Sequence, residues 1–288
     1  MLEIDMIKNR KALKIFLTIL FILISMTIYC YVEYYDVIKN NQQNKEPLFF
    51  YTTSDKGDHL IAHAGGIIDD YIYTNSKEAY EQSIQAGLNF IEVDLQTTTD
   101  GHFVAIHDWE RFNKSIGNDG DKPLSLQEVL DSKIYGKYTP LDAKGIIDLL
   151  NKYPHIIMLT DKTRNVKEVA RVFGKFNDRM IVQVFHIYDY IKALKYGIKY
   201  PTLRLKFGRR GVPEIYKKLM SWLNIKSIIL GELSFNKNKD FIKELHDNKV
   251  AVILYGNPSY KIVDNAAQIK KYSGKYIDLV DSDKLNHL

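Results

Sequence analysis

From residue 59 onward, short apolar runs alternate with longer stretches of helical spacing. The strand-like runs are Leu60–Ala62, Phe90–Asp94, His155–Leu159, Met180–Gln183, Pro201–Leu205, Ser227–Leu230, Val250–Leu254 and Tyr276–Val280. The stretches predicted as helices include Ser76–Ala86, Val166–Phe176, Tyr188–Tyr196, Pro213–Leu223, Lys239–Asp247 and Tyr260–Tyr272. Such runs alternating with helices predict an α/β fold with a parallel sheet, a (β/α)8 TIM barrel. The alternation breaks between Leu95 and Pro140. There, Thr99-Asp100-Gly101 reads as a turn from which Phe103–Ile106 pairs back as a hairpin strand. Ser125-Leu126-Gln127-Glu128 has the capping-box pattern that starts a helix.

The N-terminal pattern is different. Residues 1–14 carry Lys8, Arg10, Lys11 and Lys14, and Ile15 to Val32 is almost wholly apolar. With Ala12 and Leu13, roughly 20 residues at ~1.5 Å rise give about 30 Å, enough for one transmembrane helix. Tyr29, Tyr31, Tyr34 and Tyr35 cluster where an interfacial aromatic belt would lie. A buried core helix would not be apolar on every face. A cleaved signal peptide needs small residues before the cut, and a lipoprotein cysteine needs them before Cys30; neither pattern is present. The expected organisation is a basic cytoplasmic N-terminus (1–14), a membrane anchor (15–32), a polar linker (33–58) and the barrel (59–288). Basic residues before the span put the barrel outside the membrane.

Composition changes this picture little. The chain has 288 residues, 45% hydrophobic, enough for a sizeable core. The net charge of +5 comes from lysines scattered along the length. That is a solvated surface and not a nucleic-acid face. One cysteine excludes an intramolecular disulfide, and no Cys/His spacing suits structural zinc.

The candidate chemistry is concentrated between Leu60 and Asp108. His63 follows the first apolar run. Glu92 and Asp94 alternate along the second, so they point to one side of a strand. His107-Asp108 ends the run Val104–Ile106. Two same-face carboxylates can hold a divalent cation, and imidazoles can move protons near neutral pH. Singly, each of these residues reads as an ordinary structural or surface group; their order and placement at strand ends favour a site.

His63, the Glu92-Val93-Asp94 strand, the Thr99-Asp100-Gly101 turn and His107-Asp108 together resemble the glycerophosphodiester phosphodiesterase family. Two departures stand out. Ala64 occupies the position where the family has a phosphate-contacting Arg, and Tyr73-Thr74-Asn75-Ser76 replaces its Pro-Glu-Asn-Thr segment. The resemblance implies the same barrel over His59 to Leu288. It also implies an insertion beside the active-site mouth, where Trp109, Phe112 and the Lys133–Tyr138 region are expected to shape substrate access. It implies metal-dependent hydrolysis of a glycerophosphodiester-type bond, in which a neighbouring hydroxyl attacks phosphorus and water opens the cyclic product.

Under that reading His63 and His107 are the acid/base pair, with their individual roles open. Asp161 joins Glu92 and Asp94 as the third ligand of one divalent cation, Ca2+ or Mg2+. Lys162, Gln183, Arg204, Tyr255 and Asn257 are candidate substrate contacts. Arg209 and Arg210 read more simply as a solvated loop, His102 and His186 as surface or supporting residues, and Asp281 as structural. A phospholipase C-like lipid phosphodiesterase and an inactive head-group-binding barrel are the competing readings.

Overall fold

The computed structural model describes residues 2–45, 60–206, 211–255 and 279–282. Its contacts divide the chain into two units, residues 1–44 and 45–288.

The first unit is one helix, α1 (Leu2–Gln43). No Gly or Pro interrupts those residues, and the first downstream proline is Pro47. The helix therefore continues past Val32 through the opening of the expected linker; residues 46–58 lie outside the described part. From Leu13 to Val32 its large apolar side chains are exposed on all faces. By length and composition it can cross a membrane.

The second unit is the barrel. Its strands are β1 (Leu60–Ala62), β2 (Phe90–Thr97), β3 (Phe103–Ala105), β4 (Ile157–Asp161), β5 (Met180–Val184), β6 (Tyr200–Leu205), β7 (Ser227–Gly231), β8 (Ala251–Tyr255) and β9 (Leu279–Ser282). The helices of this unit are α2 (Lys77–Gln85), α3 (Trp109–Ser115), α4 (Leu126–Asp131), α5 (Ala143–Lys152), α6 (Val166–Phe173), α7 (Ile187–Lys195), α8 (Glu214–Trp222), α9 (Glu232–Lys237) and α10 (Lys239–Asp247). All strands except β3 pair in parallel in the order β1-β9-β8-β7-β6-β5-β4-β2. Pairing of Ile61 with Phe90 joins β1 to β2 and closes the ring. β3 runs antiparallel on β2, with Leu95 opposite Ala105.

Alternation along the strands decides what fills the ring. Ile61, Phe90, Leu159, Ile181, Ile229, Ala251 and Ile253 form one buried apolar cluster. Moving two residues toward each C-terminal end keeps the same face. Phe90 is thus followed by Glu92 and Asp94, Leu159 by Asp161, Ile181 by Gln183, and Ile253 by Tyr255. The apolar layers hold the barrel closed, and the polar layer stands at its C-terminal rim, where sites of this fold form.

Several elements differ from expectation. β4 begins and ends two residues later than the predicted run, so Asp161 is its last residue and does not follow it. β2 continues three residues beyond Asp94 because its end pairs with β3; Glu92 and Asp94 are therefore interior to the strand. α6 stops at Phe173, and a 3-10 segment beginning at Gly174 completes the connection. α3 and α5 were not foreseen. Their starts are legible in hindsight, since Asp108 caps α3 through the Arg111 N–H and Asp142 caps α5 through the Gly145 N–H. The Ser125–Glu128 capping box is present at α4. The predicted helix Tyr260–Tyr272 falls outside the described residues.

Candidate active site

The chain leaves β1 through a tight 3-10 turn at His63–Gly65. Ala64, Gly65 and Gly66 all have positive φ, at 47°, 85° and 82°. At Gly65 this freedom is required twice over, because a Cβ would also stand 3.2 Å from the Ala79 Cβ. The turn aims the Ala64 N–H at Glu92, whose Oε2 accepts it at 2.7 Å. Ala64 is thus a fully buried residue whose backbone holds a carboxylate.

Asp94 is held by Asn75. The Asn75 Nδ2 donates to Asp94 Oδ2 at 2.9 Å, and its Oδ1 accepts the Asp94 N–H at 3.1 Å. The same Oδ1 accepts the Tyr80 hydroxyl at 2.7 Å, and that hydroxyl also lies 3.1 Å from the Glu92 carbonyl oxygen. Burial, and then the charges of Glu92 and Asp94, raise the Tyr80 pKa well above its ordinary value. The phenol therefore stays neutral and works as a donor.

Asp161 joins from β4. Glu92, Asp94 and Asp161 bring one carboxylate oxygen each within 4.8 Å of one another. Asp161 Oδ1 accepts the Lys162 N–H at 2.6 Å and also the Gln183 amide. The Lys162 ammonium lies 3.6 Å from Asp94 Oδ1 and 3.4 Å from Asp161 Oδ2. Burial alone would lower its pKa; Asp94, Asp161 and Glu92 outweigh burial and raise it. Arg204 approaches Asp161 Oδ2 at 3.8 Å, with its guanidinium over the Tyr255 ring at 4.7 Å. Asp94 Oδ1 is buried and has no hydrogen-bond partner among the described residues. An unbonded buried carboxylate oxygen facing two further carboxylates is an environment that a hard divalent cation fits.

The imidazoles are tied to the same strand. The Ile106 N–H bonds the Asp94 carbonyl at 2.9 Å, and His107 follows directly. Gln96 Nε2 donates to the His107 carbonyl at 3.2 Å. The Tyr73 ring contacts both histidines, with centroids 4.9 Å from His63 and 4.5 Å from His107. His107 Nδ1 lies 2.6 Å from Asp108 Oδ2.

The sequence profile of the glycerophosphoryl diester phosphodiesterase family matches residues 66–280. This chain belongs to that family. As a family member it is a phosphoric diester hydrolase on a TIM barrel. YhdW of Bacillus subtilis (strain 168), assigned as a glycerophosphodiester phosphodiesterase, is 26% identical over 205 residues, covering 62% of this chain and 82% of YhdW. The glycerophosphodiester phosphodiesterase of Thermotoga maritima has a similar structure, with TM-score 0.61 and 18% identity over 79% of this chain and 94% of that one. An Oleispira antarctica phosphodiesterase in complex with the product sn-glycerol-3-phosphate aligns with TM-score 0.62 and 14% identity, covering 78% of this chain and 92% of the other.

In this phosphodiesterase the candidate residues separate by what they touch. Glu92, Asp94, Asp161, Lys162, Gln183 and Arg204 form one network at the rim, which Tyr255 joins through the Arg204 guanidinium. Gln183 is 3% exposed, and its amide donates to Asp161. Asn257, Arg209 and Arg210 lie outside the described residues, and of Asp281 only the backbone in β9 is described. His102 and His186 are exposed. Trp109 packs with Phe112 in a second apolar cluster under α3. Asn75, Tyr80, Tyr73 and Arg111 are parts of the site that sequence reasoning assigned no role. Asn75 was visible only as a survivor of an altered motif, and nothing along the chain marks it as the partner of Asp94.

Two outcomes follow from this geometry. Asn75→Ala leaves Asp94 without its side-chain donor. It should weaken binding of a divalent cation about 10–100-fold and destabilise the barrel by about 1–3 kcal/mol. Cation titration and thermal unfolding measure the two effects; unchanged cation affinity in the folded variant would remove Asn75 from the site.

The second outcome concerns pH. Partial burial pushes the Asp108 carboxyl up, but the Arg111 N–H, the His107 hydrogen bond and the charges of both residues win, leaving its pKa below 3.8. A depressed folded pKa supplies stability above the ordinary value that is lost only as pH falls through the lower one. Asp108 is therefore ionised across about pH 5–8, the range in which an imidazole titrates. Any acid limb of the rate profile in that range should persist in Asp108→Asn; its disappearance would make Asp108 the titrating group.

Proposed function

We propose that the protein is a membrane-anchored, metal-dependent glycerophosphodiesterase in which His63 and His107 handle the two protons of the displacement. The observation that carries this reading is the carboxylate trio, with its Asp94 oxygen free of hydrogen bonds, in a fold that also brings two imidazoles onto one tyrosine ring. Glu92, Asp94 and Asp161 would hold one Ca2+ or Mg2+, which when bound supplies positive charge for the phosphate oxygens. Lys162 and Arg204 add fixed cations to the same rim, in a chain that lacks the family's arginine.

The ionised Asp108 can only accept, so Nδ1 of His107 carries the hydrogen between them and Nε2 is left for proton transfer. One imidazole takes the proton of a hydroxyl neighbouring the phosphorylated carbon, and that oxygen bonds to phosphorus. The P–O bond to the leaving alcohol breaks, and the other imidazole protonates the departing oxygen. Water then opens the cyclic diester to a phosphomonoester. The sn-glycerol-3-phosphate in the Oleispira complex supports a glycerol phosphate product here.

Product analysis with glycerophosphodiesters and intact phospholipids, with Ca2+ and Mg2+ compared, tests the reading. Glycerol phosphate and free alcohol, formed only with cation, are expected. Diacylglycerol from intact lipid would move the assignment to a lipid phosphodiesterase. No turnover of any diester would leave a head-group-binding barrel.

The span in α1 follows the basic residues Lys8, Arg10, Lys11 and Lys14, which supports a cytoplasmic N-terminus and an extracytoplasmic barrel. Protease added to intact cells should digest the barrel; full protection where the outer face is accessible would reverse this topology.

A further inference from the structure

A helix that packs on a barrel needs one apolar face, and α8 (Glu214–Trp222) has two. Met220, and Leu223 just after the helix, are buried on its inner side. Ile215, Leu219 and Trp222 instead stand 66%, 38% and 55% exposed. Their i, i+4, i+7 spacing puts them on one stripe of the outer face. Lys218, one turn on from Ile215, is exposed on the same face. Among the described residues, no other helix of the barrel exposes more than one large apolar side chain.

The charge around this stripe has one sign. From Lys206 to Lys226 the sequence holds Lys206, Arg209, Arg210, Lys217, Lys218 and Lys226 against a single acid, Glu214. That acid is taken up by Lys217, whose ammonium lies 2.6 Å from its Oε1. An exposed apolar stripe among cations, ending in a tryptophan, has the chemistry of a helix lying in a lipid interface. A second copy of this chain fits it less well. A two-fold contact would set the same cations against each other. A helix of 9 residues is only about 13 Å long, too short to supply by itself the roughly 800 Å2 per partner of a stable interface.

The rest of the chain supplies a bilayer. α1 can span one by length and composition. About 16 residues separate Gln43 from Leu60, a tether of at most roughly 55 Å.

We propose that α8 docks the barrel on the surface of an anionic lipid bilayer, with Ile215, Leu219 and Trp222 in the acyl boundary and Lys218 at the headgroups. The inference rests on the membrane-anchor reading of α1 and extends it from a tether to a seated orientation. α8 connects the parallel strands β6 and β7, so its first residues lie toward the C-terminal end of the barrel. Arg204 and Asp161 stand at that end, and docking through Ile215 holds their rim beside the headgroup layer.

The test uses the full chain reconstituted in vesicles of phosphatidylcholine, with and without phosphatidylglycerol, whose acyl chains are brominated near the headgroup. Trp109 is buried, so bromine quenching reports on Trp222, and Trp222→Phe gives the background. Trp222 emission should be quenched in the anionic vesicles, less so without phosphatidylglycerol, and less so in high salt. Lys218→Glu should lower the ratio of docked to undocked chain about fivefold or more, the scale of one basic residue near an anionic surface. Ile215→Ser should lower it about tenfold, the scale of one apolar side chain returned to water. Both positions are exposed, so neither change touches the core. Absence of quenching in a chain that stays with the vesicles after alkaline washing overturns the docking and leaves the anchor. Quenching unaltered in both variants, or equal in the two kinds of vesicle, does the same. Blue-shifted Trp222 emission without quenching assigns the stripe to a protein surface and also overturns the docking. Loss of the chain on alkaline washing overturns the anchor, and docking then stands or falls on the quenching measured before the wash.

Discussion

His63→Ala and His107→Ala should each lose roughly 10²–10⁴-fold in turnover on an alkyl phosphodiester, the usual contribution of a positioned acid or base. Both variants should still bind the cation if the proposed carboxylates hold it, because neither imidazole belongs to the trio. The double variant should be much less than multiplicatively worse, since groups acting in one displacement are not independent. A nitrophenyl leaving group needs little protonation on departure, so it separates the roles. It should largely rescue the variant that lacks the acid and leave the variant that lacks the base impaired. Near-normal turnover of either single variant on the alkyl diester would sink the two-histidine mechanism. Rescue of His107→Ala would make His107 the acid, and rescue of His63→Ala would make it His63.

Asp94→Ala should weaken Ca2+ or Mg2+ binding by at least about a hundredfold, more than the loss of a supporting residue produces. Asp94 is fully buried, and its Oδ1 is the oxygen without a hydrogen bond. Removing it leaves Glu92 and Asp161 as an incomplete set and takes the partner from Asn75. Asp94→Asn keeps the shape and the Asn75 contact but not the charge, so it distinguishes ligand loss from packing. Calorimetric titration of the folded variants measures the effect. Wild-type affinity in Asp94→Asn would mean that the cation is held elsewhere.

Much of the barrel was legible because its signal is periodic. Each strand must alternate to fill a closed ring, and each connecting helix must bury one face, so Phe90-Ile91-Glu92-Val93-Asp94 and the runs after it declare themselves locally. The strand ends were less legible. Nothing local says that β2 runs on through Thr97, because what extends it is the pairing of Leu95 with Ala105 across a turn. Helix α3 was missed for a related reason, since it is short and lies in an insertion without the barrel's rhythm.

By itself, the sequence determined the eight-strand parallel pattern, the apolar N-terminal span, and which carboxylates and imidazoles the strands and the turns after them carry. These depend on spacing within single elements, which hydrophobic periodicity records. Only the tertiary structure decided how those groups meet. Asp161 joins Glu92 and Asp94 because β4 pairs with β2, placing Asp94 opposite Asp161. Asn75 reaches Asp94, and Tyr73 reaches both histidines, through a loop bent at the left-handed residues Asp69, Asp70, Tyr73 and Asn75, whose path no local period records. The stack of Tyr71 on Tyr135 joins two segments far apart along the chain. Contacts of that kind form when the ring closes, and no local pattern encodes them.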